Sequence, residues 1–253
     1  MTDTPPPSRY VWLDFNAPLS DARARRLVER LVHPAPATVL DFGCGWGELL
    51  LRLLEAAPGA VGTGVDTDGS LLARGHAAAV ARGMADRVSF VEGPAATWRE
   101  PADLVVCVGA SHAFGDTADA LRALRRAVRP GGRALFGDGF WERPPTPGEL
   151  SRMWPKASAD DYPDLAGLVD LAVAAGFRPL WVEAASPDEW HDFESGFLAD
   201  REHWLLEHGD RPEAEQVRAS VERHRARWLR GYRGVWGFGY LTLGVPSAPS
   251  AAG

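Results

Sequence analysis

The run Val39-Leu40-Asp41-Phe42-Gly43-Cys44-Gly45-Trp46-Gly47-Glu48 decides the fold. Apolar residues lead into a turn with three alternating glycines, and a helical pattern over 47–57 starts at once. This reads as a buried strand, a tight loop and a helix. Glycine is required where the backbone takes positive φ or approaches a ligand so closely that a Cβ would collide. The helix start presents unpaired N–H groups, which suit an electronegative ligand group. Nineteen residues after Gly47, at the end of the strand-like run 62–66, comes Asp66. A carboxylate there can accept both hydroxyls of a ribose. Strand, turn, helix, strand and acid in this order predict a site for an adenosine-bearing ligand.

The spacing separates the candidates. Dinucleotide sites use G-x-G-x-x-G, whereas this loop is G-x-G-x-G with Asp41 two residues before its first glycine. A carboxylate there repels a pyrophosphate and suits the ammonium of an amino-acid moiety. No G-x-x-x-x-G-K-[ST] occurs, and Lys156 is the only lysine, so a P-loop is excluded.

Outward from the loop, strand-like and helical patterns alternate. Strands are predicted over 38–42, 62–66, 88–93, 103–109 and 133–140, with helices over 21–33, 47–57, 70–83 and 117–128. Ser20 is the expected N-cap of the first helix, and Arg129-Pro130-Gly131-Gly132 stops the fourth. Beyond Trp141 come a proline-rich stretch, a helix over 164–175, a strand over 178–184, two longer helices over 188–208 and 213–230, and a last strand over 235–244. Trp190, Phe193, Phe197 and Trp204 share one helical face, as do Ala214, Val217, Val221, His224 and Trp228. The pair is expected to form a helical hairpin. The predicted fold is α/β: a Rossmann-like, doubly wound, mostly parallel seven-stranded sheet with helices on both faces and a C-terminal helical cap. The expected organisation is a tail and lid helix (1–33), a core (34–185), a helical insertion (186–233), a last core strand (234–245) and a disordered tail (246–253).

Composition narrows the class. The 253 residues include 27 basic and 34 acidic side chains, a net charge of −7, and 45% are hydrophobic. That suffices for a sizeable core. The acidic total argues against a nucleic-acid partner, which calls for a basic face. No run of 18 apolar residues exists, and the start MTDTPPPSRY lacks an apolar stretch, so neither a membrane span nor a secretory signal is expected. Cys44 and Cys107 sit in apolar strand-like contexts and fit a reducing cytoplasm. The expectation is a cytoplasmic protein, monomer or homodimer. The alanine-rich, lysine-poor composition fits a GC-rich bacterial genome.

The order VLDFGCGWG, GVD, DLVVCVGASHAF and LRRAVRPGGRALFGD resembles the class I S-adenosylmethionine-dependent methyltransferases, strongly over 38–140. The remainder is similar to bacterial small-molecule members with a tryptophan-rich helical C-terminal part. The resemblance implies S-adenosylmethionine as donor and S-adenosylhomocysteine as product. It implies that Gly43, Gly45 and Gly47 contact the methionine and ribose portions, that Asp66 and neighbouring Thr67 hold the ribose, and that Asp41 faces the amino group. Val108, Gly109 and the residues after them would line the transfer site. Where relatives carry an acid for the adenine amine, this chain has Pro94, which leaves adenine to backbone groups near Ala95 and Ala96 or to another side chain.

Methyl transfer needs proximity above all, and a base only if the acceptor atom carries a proton. His112, after the fourth strand, is a candidate base or simply a loop residue. Asp138, leaving the fifth strand, can orient an acceptor or bind the turn backbone. Tyr10, Trp12, Phe15 and Trp141 form an aromatic substrate wall or anchor the N-terminal segment. No metal site is expected, because His203 and His208 are five apart without further ligands. The reading is a methyltransferase acting on an O or N atom of a small-molecule acceptor. The alternatives are an RNA or protein methyltransferase and a donor-binding protein without transferase activity, with a nicotinamide-dependent oxidoreductase more distant.

Overall fold

The computed structural model describes residues 10–247. The expected loose segment 1–9 and residues 248–253 of the expected disordered tail 246–253 lie outside the described residues. The described residues form two units, one comprising Ser20–Phe140, Leu165–Ala184 and residues 238–247. The other comprises residues 10–19, Trp141–Asp164 and Ala185–Gly237.

The first unit carries the sheet. Its strands are β1 (Thr38–Phe42), β2 (Val61–Asp66), β3 (Val88–Glu92), β4 (Ala102–Val108), β5 (Val128–Trp141), β6 (Arg178–Ala184) and β7 (Trp236–Gly244), in the order β3-β2-β1-β4-β5-β7-β6. The pairs β1–β2, β1–β4, β2–β3 and β4–β5 are parallel, and β6–β7 is antiparallel. The predicted seven-stranded, mostly parallel sheet is therefore observed. Chain order reverses between β1 and β4, so the loops leaving these strands meet at the topological switch point, where open α/β sheets bind ligands.

Helices α1 (Asp21–Leu31), α2 (Glu48–Ala56), α3 (Gly69–Ala81), α4 (Thr117–Ala127) and α6 (Leu165–Ala174) belong to this unit. In α2, Leu49, Leu50, Leu51, Leu53 and Leu54 are all buried. Leu40, Phe42, Val105, Cys107, Phe136 and Leu241 belong to the main buried cluster. α1 opens on Ser20, whose Oγ accepts the Arg23 N–H at 3.2 Å, and ends at Leu31 rather than at His33, ahead of Pro34. β5 begins at Val128, five residues earlier than expected. Its Pro-Gly-Gly segment does not leave the sheet, because Gly131 N–H donates to the Val245 carbonyl and Val245 N–H to that of Gly132.

Glu183 of β6 gathers the arginines of α1. Its carboxylate accepts from Arg30 at 2.6 Å and Arg23 at 3.3 Å, with Arg26 at 3.8 Å. The group is largely buried, so removing the acid leaves like charges in a half-dry site. Glu183→Ala is expected to cost about 1–3 kcal/mol, discounted for the remaining exposure. Thermal unfolding beside Glu183→Gln measures it; an unchanged melting temperature would show that water already screens the arginines.

The second unit holds α5 (Pro147–Leu150), α7 (Pro187–His208) and α8 (Ala214–Arg227), followed by a π-helical turn, Trp228–Tyr232. The helical hairpin is present, but its buried face differs from the apolar stripe expected on α7. Glu189, Glu194, Leu198 and Arg201 are the buried α7 residues, and the aromatic ones stay half-buried. The reason lies on α8 and the turn after it. His224 Nε2 stands 2.6 Å from one Glu194 carboxylate oxygen, and the Tyr232 hydroxyl donates to the other. Two partners from the neighbouring elements allow the acid to be buried.

Candidate active site

The glycine loop is built by its backbone. Gly43, Gly45 and Gly47 have φ of +67°, +56° and +68°, a region that a side chain makes costly. The N–H groups of Gly43 and Cys44 donate to the Val65 carbonyl at 2.8 and 3.2 Å, which ties the loop to β2. A Cβ on Gly43 would overlap the Ala110 methyl, and one on Gly47 would lie 2.5 Å from the Phe90 ring. A Cβ on Gly45 would meet nothing within 4 Å, although the residue is buried. That open space beside the Gly45 backbone is the candidate cradle.

Asp66 ends β2 and closes the cradle. One carboxylate oxygen accepts the Gly45 N–H at 2.8 Å and the other the Asp68 N–H at 3.0 Å. Each oxygen retains a further lone pair for a ligand hydroxyl. Asp68 in turn caps α3, accepting from Ser70 N–H at 2.9 Å. Asp41 lies on β1 with 4% of its surface exposed, and among the described residues no donor reaches its carboxylate. Burial, reinforced by the Asp66 charge, pushes its carboxyl up to about 8. Thr67 is exposed directly after β2, and Val108 and Gly109 leave β4 beside Gly137, whose carbonyl accepts the Gly109 N–H at 2.8 Å. Ala95 and Ala96 open a single 3-10 turn, Ala95–Thr97, whose first N–H groups have no acceptor within the turn. Asp66→Asn keeps one acceptor oxygen and loses the charge. We expect about a tenfold loss of donor affinity, the worth of roughly one charge-assisted hydrogen bond, read by equilibrium dialysis.

His112 and Asp138 form a second cluster at the ends of β4 and β5. His112 is exposed in the one-turn helix Ser111–Ala113, and Asp138 is 5% exposed. Asp138 accepts from Thr117 Oγ1 and Gly139 N–H, both at 2.8 Å, and from the Ser111 hydroxyl. Burial raises its carboxyl above the usual range against these donors and the nearby His112. Thr117 was hidden in the sequence as an ordinary first residue of α4, and Phe90, which walls Gly47, as an ordinary strand residue.

The four aromatic candidates all belong to the second unit. Tyr10 meets Phe197 edge-on at 6.0 Å, and Trp12, 58% exposed, stacks on His203 at 5.3 Å. Phe15 is buried. Trp141, the last residue of β5, is buried against Trp154 in parallel at 6.0 Å, with Tyr162 edge-on at 5.6 Å, and its indole N–H donates to the Ala159 carbonyl. Tyr10 and Trp12 thus pack on α7, and the aromatic cluster of Trp141 reaches the same helix through Trp154, Trp236 and Trp190. Among the described residues no three His, Cys, Asp or Glu side chains are grouped to hold a metal, and no helix is long and apolar enough to cross a membrane.

Sheet order and a glycine cradle at the switch point define a Rossmann-like methyltransferase architecture. The family described as "Methyltransferase domain" matches residues 40–134. The chain is 29% identical over 217 residues to the uncharacterized protein YjhP of Escherichia coli K12, covering 85% of this chain and 87% of that one. It is 36% identical over 126 residues to a demethylmenaquinone methyltransferase of Thermus thermophilus, covering 49% and 54%. A methyltransferase from Geobacter sulfurreducens, solved with S-adenosyl-L-homocysteine, superposes with a TM-score of 0.81 at 28% identity, covering 90% of this chain and 92% of the other. The match over residues 40–134 and these neighbours support an S-adenosylmethionine-dependent methyltransferase with the class I fold.

Proposed function

We propose that the chain transfers the methyl group to an O or N atom of a small-molecule metabolite, acting as a monomer or homodimer in the cytoplasm. The observation that carries the acceptor chemistry is the His112–Asp138 cluster. A base is useful only where the attacking atom carries a proton, as a hydroxyl or amine does. The net charge of −7 disfavours a polyanionic acceptor.

The cradle fits the donor: open space at Gly45, a carboxylate at Asp66 with lone pairs to spare, and at Asp41 a buried acid that no donor reaches among the described residues. Gly43, Gly45 and Gly47 admit the methionine and ribose portions, Asp66 and Thr67 take the ribose hydroxyls, and Asp41 faces the ammonium. Ala95 and Ala96 offer backbone groups to adenine, and Val108 and Gly109 line the transfer site. When bound, S-adenosylmethionine supplies a methyl group on a positively charged sulfur. Asp138, held by Thr117 and Ser111, orients His112, and His112 takes the proton of the acceptor. We assign residues 34–185 and 234–245 to donor binding. Residues 186–233, with Tyr10, Trp12, Phe15 and Trp141, are assigned to choosing an acceptor with an apolar or aromatic body.

Incubation with S-adenosylmethionine labelled in its methyl group, against pools of hydroxyl- and amine-bearing metabolites, tests the assignment. Label in a small O- or N-methylated product is expected. Label confined to RNA or protein, or no transfer despite donor binding, would overturn it.

A further inference from the structure

Asp41 and Asp66 are two carboxylates at one site with opposite surroundings. Asp41 on β1 is in register with Gly64 on β2, and Asp66 lies two residues further along the same strand, on the same face. Both oxygens of Asp66 are met by backbone N–H groups. Asp41 is more deeply buried and has no donor among the described residues. The other titratable groups near it are the thiols of Cys44, in the loop, and Cys107, on β4. Burial first, then the Asp41 charge, pushes both thiols up, so they stay neutral, and neither thiol nor thiolate can supply a positive charge. A buried carboxyl of this kind is stable either neutral, with its proton, or ionised against a cation. Its carboxyl is pushed up to about 8, so the proton is present at neutral pH.

We infer, on the donor assignment made above, that ligand binding in the cradle exchanges a proton, the Asp41 carboxyl releasing its proton to solvent as the ammonium of the ligand's amino-acid portion docks against it. One O–H bond breaks, one proton leaves, and a carboxylate–ammonium pair forms. Affinity for S-adenosylhomocysteine therefore climbs with pH, by about tenfold per unit below 8, and levels off as Asp41 becomes ionised unaided. Beyond the titration of the ligand's own amine the sign reverses, since the amine must then pick up a proton to pair. Adenosine compounds without an ammonium show neither effect, so the same acid makes the site selective for amino-acid-bearing nucleosides.

The sign for the ligand-free protein follows from linkage. A folded-state value raised above the ordinary 3.8 gives stability that is full below 3.8 and is lost as pH rises through about 8. Asp41→Asn has no such slope, so its melting temperature should gain on that of the wild type between pH 5 and pH 9.

Titration calorimetry of the full chain with S-adenosylhomocysteine, at pH 6.5 in phosphate and in Tris, counts the protons. We expect nearly one proton released by the wild type and none by Asp41→Asn. The probe 5′-methylthioadenosine, which lacks the ammonium, should bind without proton release. Binding of S-adenosylhomocysteine with equal heats in the two buffers would overturn the proton exchange and leave the donor site standing. No binding at any pH would overturn the donor assignment itself, and the exchange with it. The melting comparison separates an Asp41→Asn protein that fails to fold from one that folds and has lost the exchange.

Discussion

Gly45→Ala is expected to weaken S-adenosylhomocysteine binding by about ten- to a hundredfold while the protein stays folded. Gly43→Ala is expected to damage the fold itself. Both residues have positive φ, so each substitution carries about 1–2 kcal/mol of backbone strain. They differ in what the new methyl meets. At Gly43 it overlaps the Ala110 methyl, and overpacking adds about 1–3 kcal/mol. The sum is a sizeable share of the total stability of an ordinary domain, about 5–15 kcal/mol. At Gly45 the methyl enters open space, so the stability loss is the strain alone, a few degrees in melting temperature. The same methyl then competes with the ligand for the cradle. Denaturation and dialysis on both variants separate the two effects. Equal affinity in Gly45→Ala and wild type would mean that the open space is not where the donor binds.

His112→Ala and Asp138→Asn are expected to lower kcat by about a hundred- to ten-thousandfold, the usual worth of general base catalysis, with donor affinity unchanged. If His112 takes the acceptor proton and Asp138 orients it, the double variant should be little worse than either single one, because residues acting as a unit are not additive. Asp138→Asn keeps the shape that Thr117 and Gly139 contact, so a loss of rate there does not reduce to a loss of packing. A histidine variant with full kcat would show that positioning alone suffices for this acceptor.

How much of this was legible in the sequence depends on the range of the interaction. The glycine loop was legible because positive φ is a local demand that only glycine meets without strain, and the observed angles at Gly43, Gly45 and Gly47 make that demand. The strands were legible because parallel sheets buried on both faces read as apolar runs. The start of β5 was not, since Pro130 and Gly131 look like a turn until the Val245 and Pro246 carbonyls accept the Gly131 N–H. Nor was the buried face of α7. Helical periodicity ranks Glu194 as a surface residue, and only His224, thirty residues away, and Tyr232 explain its burial. The Thr117–Asp138 bond spans 21 residues and is likewise created by the fold.

Thermal melting of the purified chain with S-adenosylhomocysteine and NAD in parallel tests the central claim most directly. Ligand at about a hundred times its dissociation constant adds about 2.7 kcal/mol, which raises the melting temperature by roughly 5–10 °C in a protein of this size. The predicted result is such a rise with S-adenosylhomocysteine and none with NAD. A rise with NAD alone, or with neither, would contradict the assignment of the Gly43–Gly47 cradle to a methyl donor.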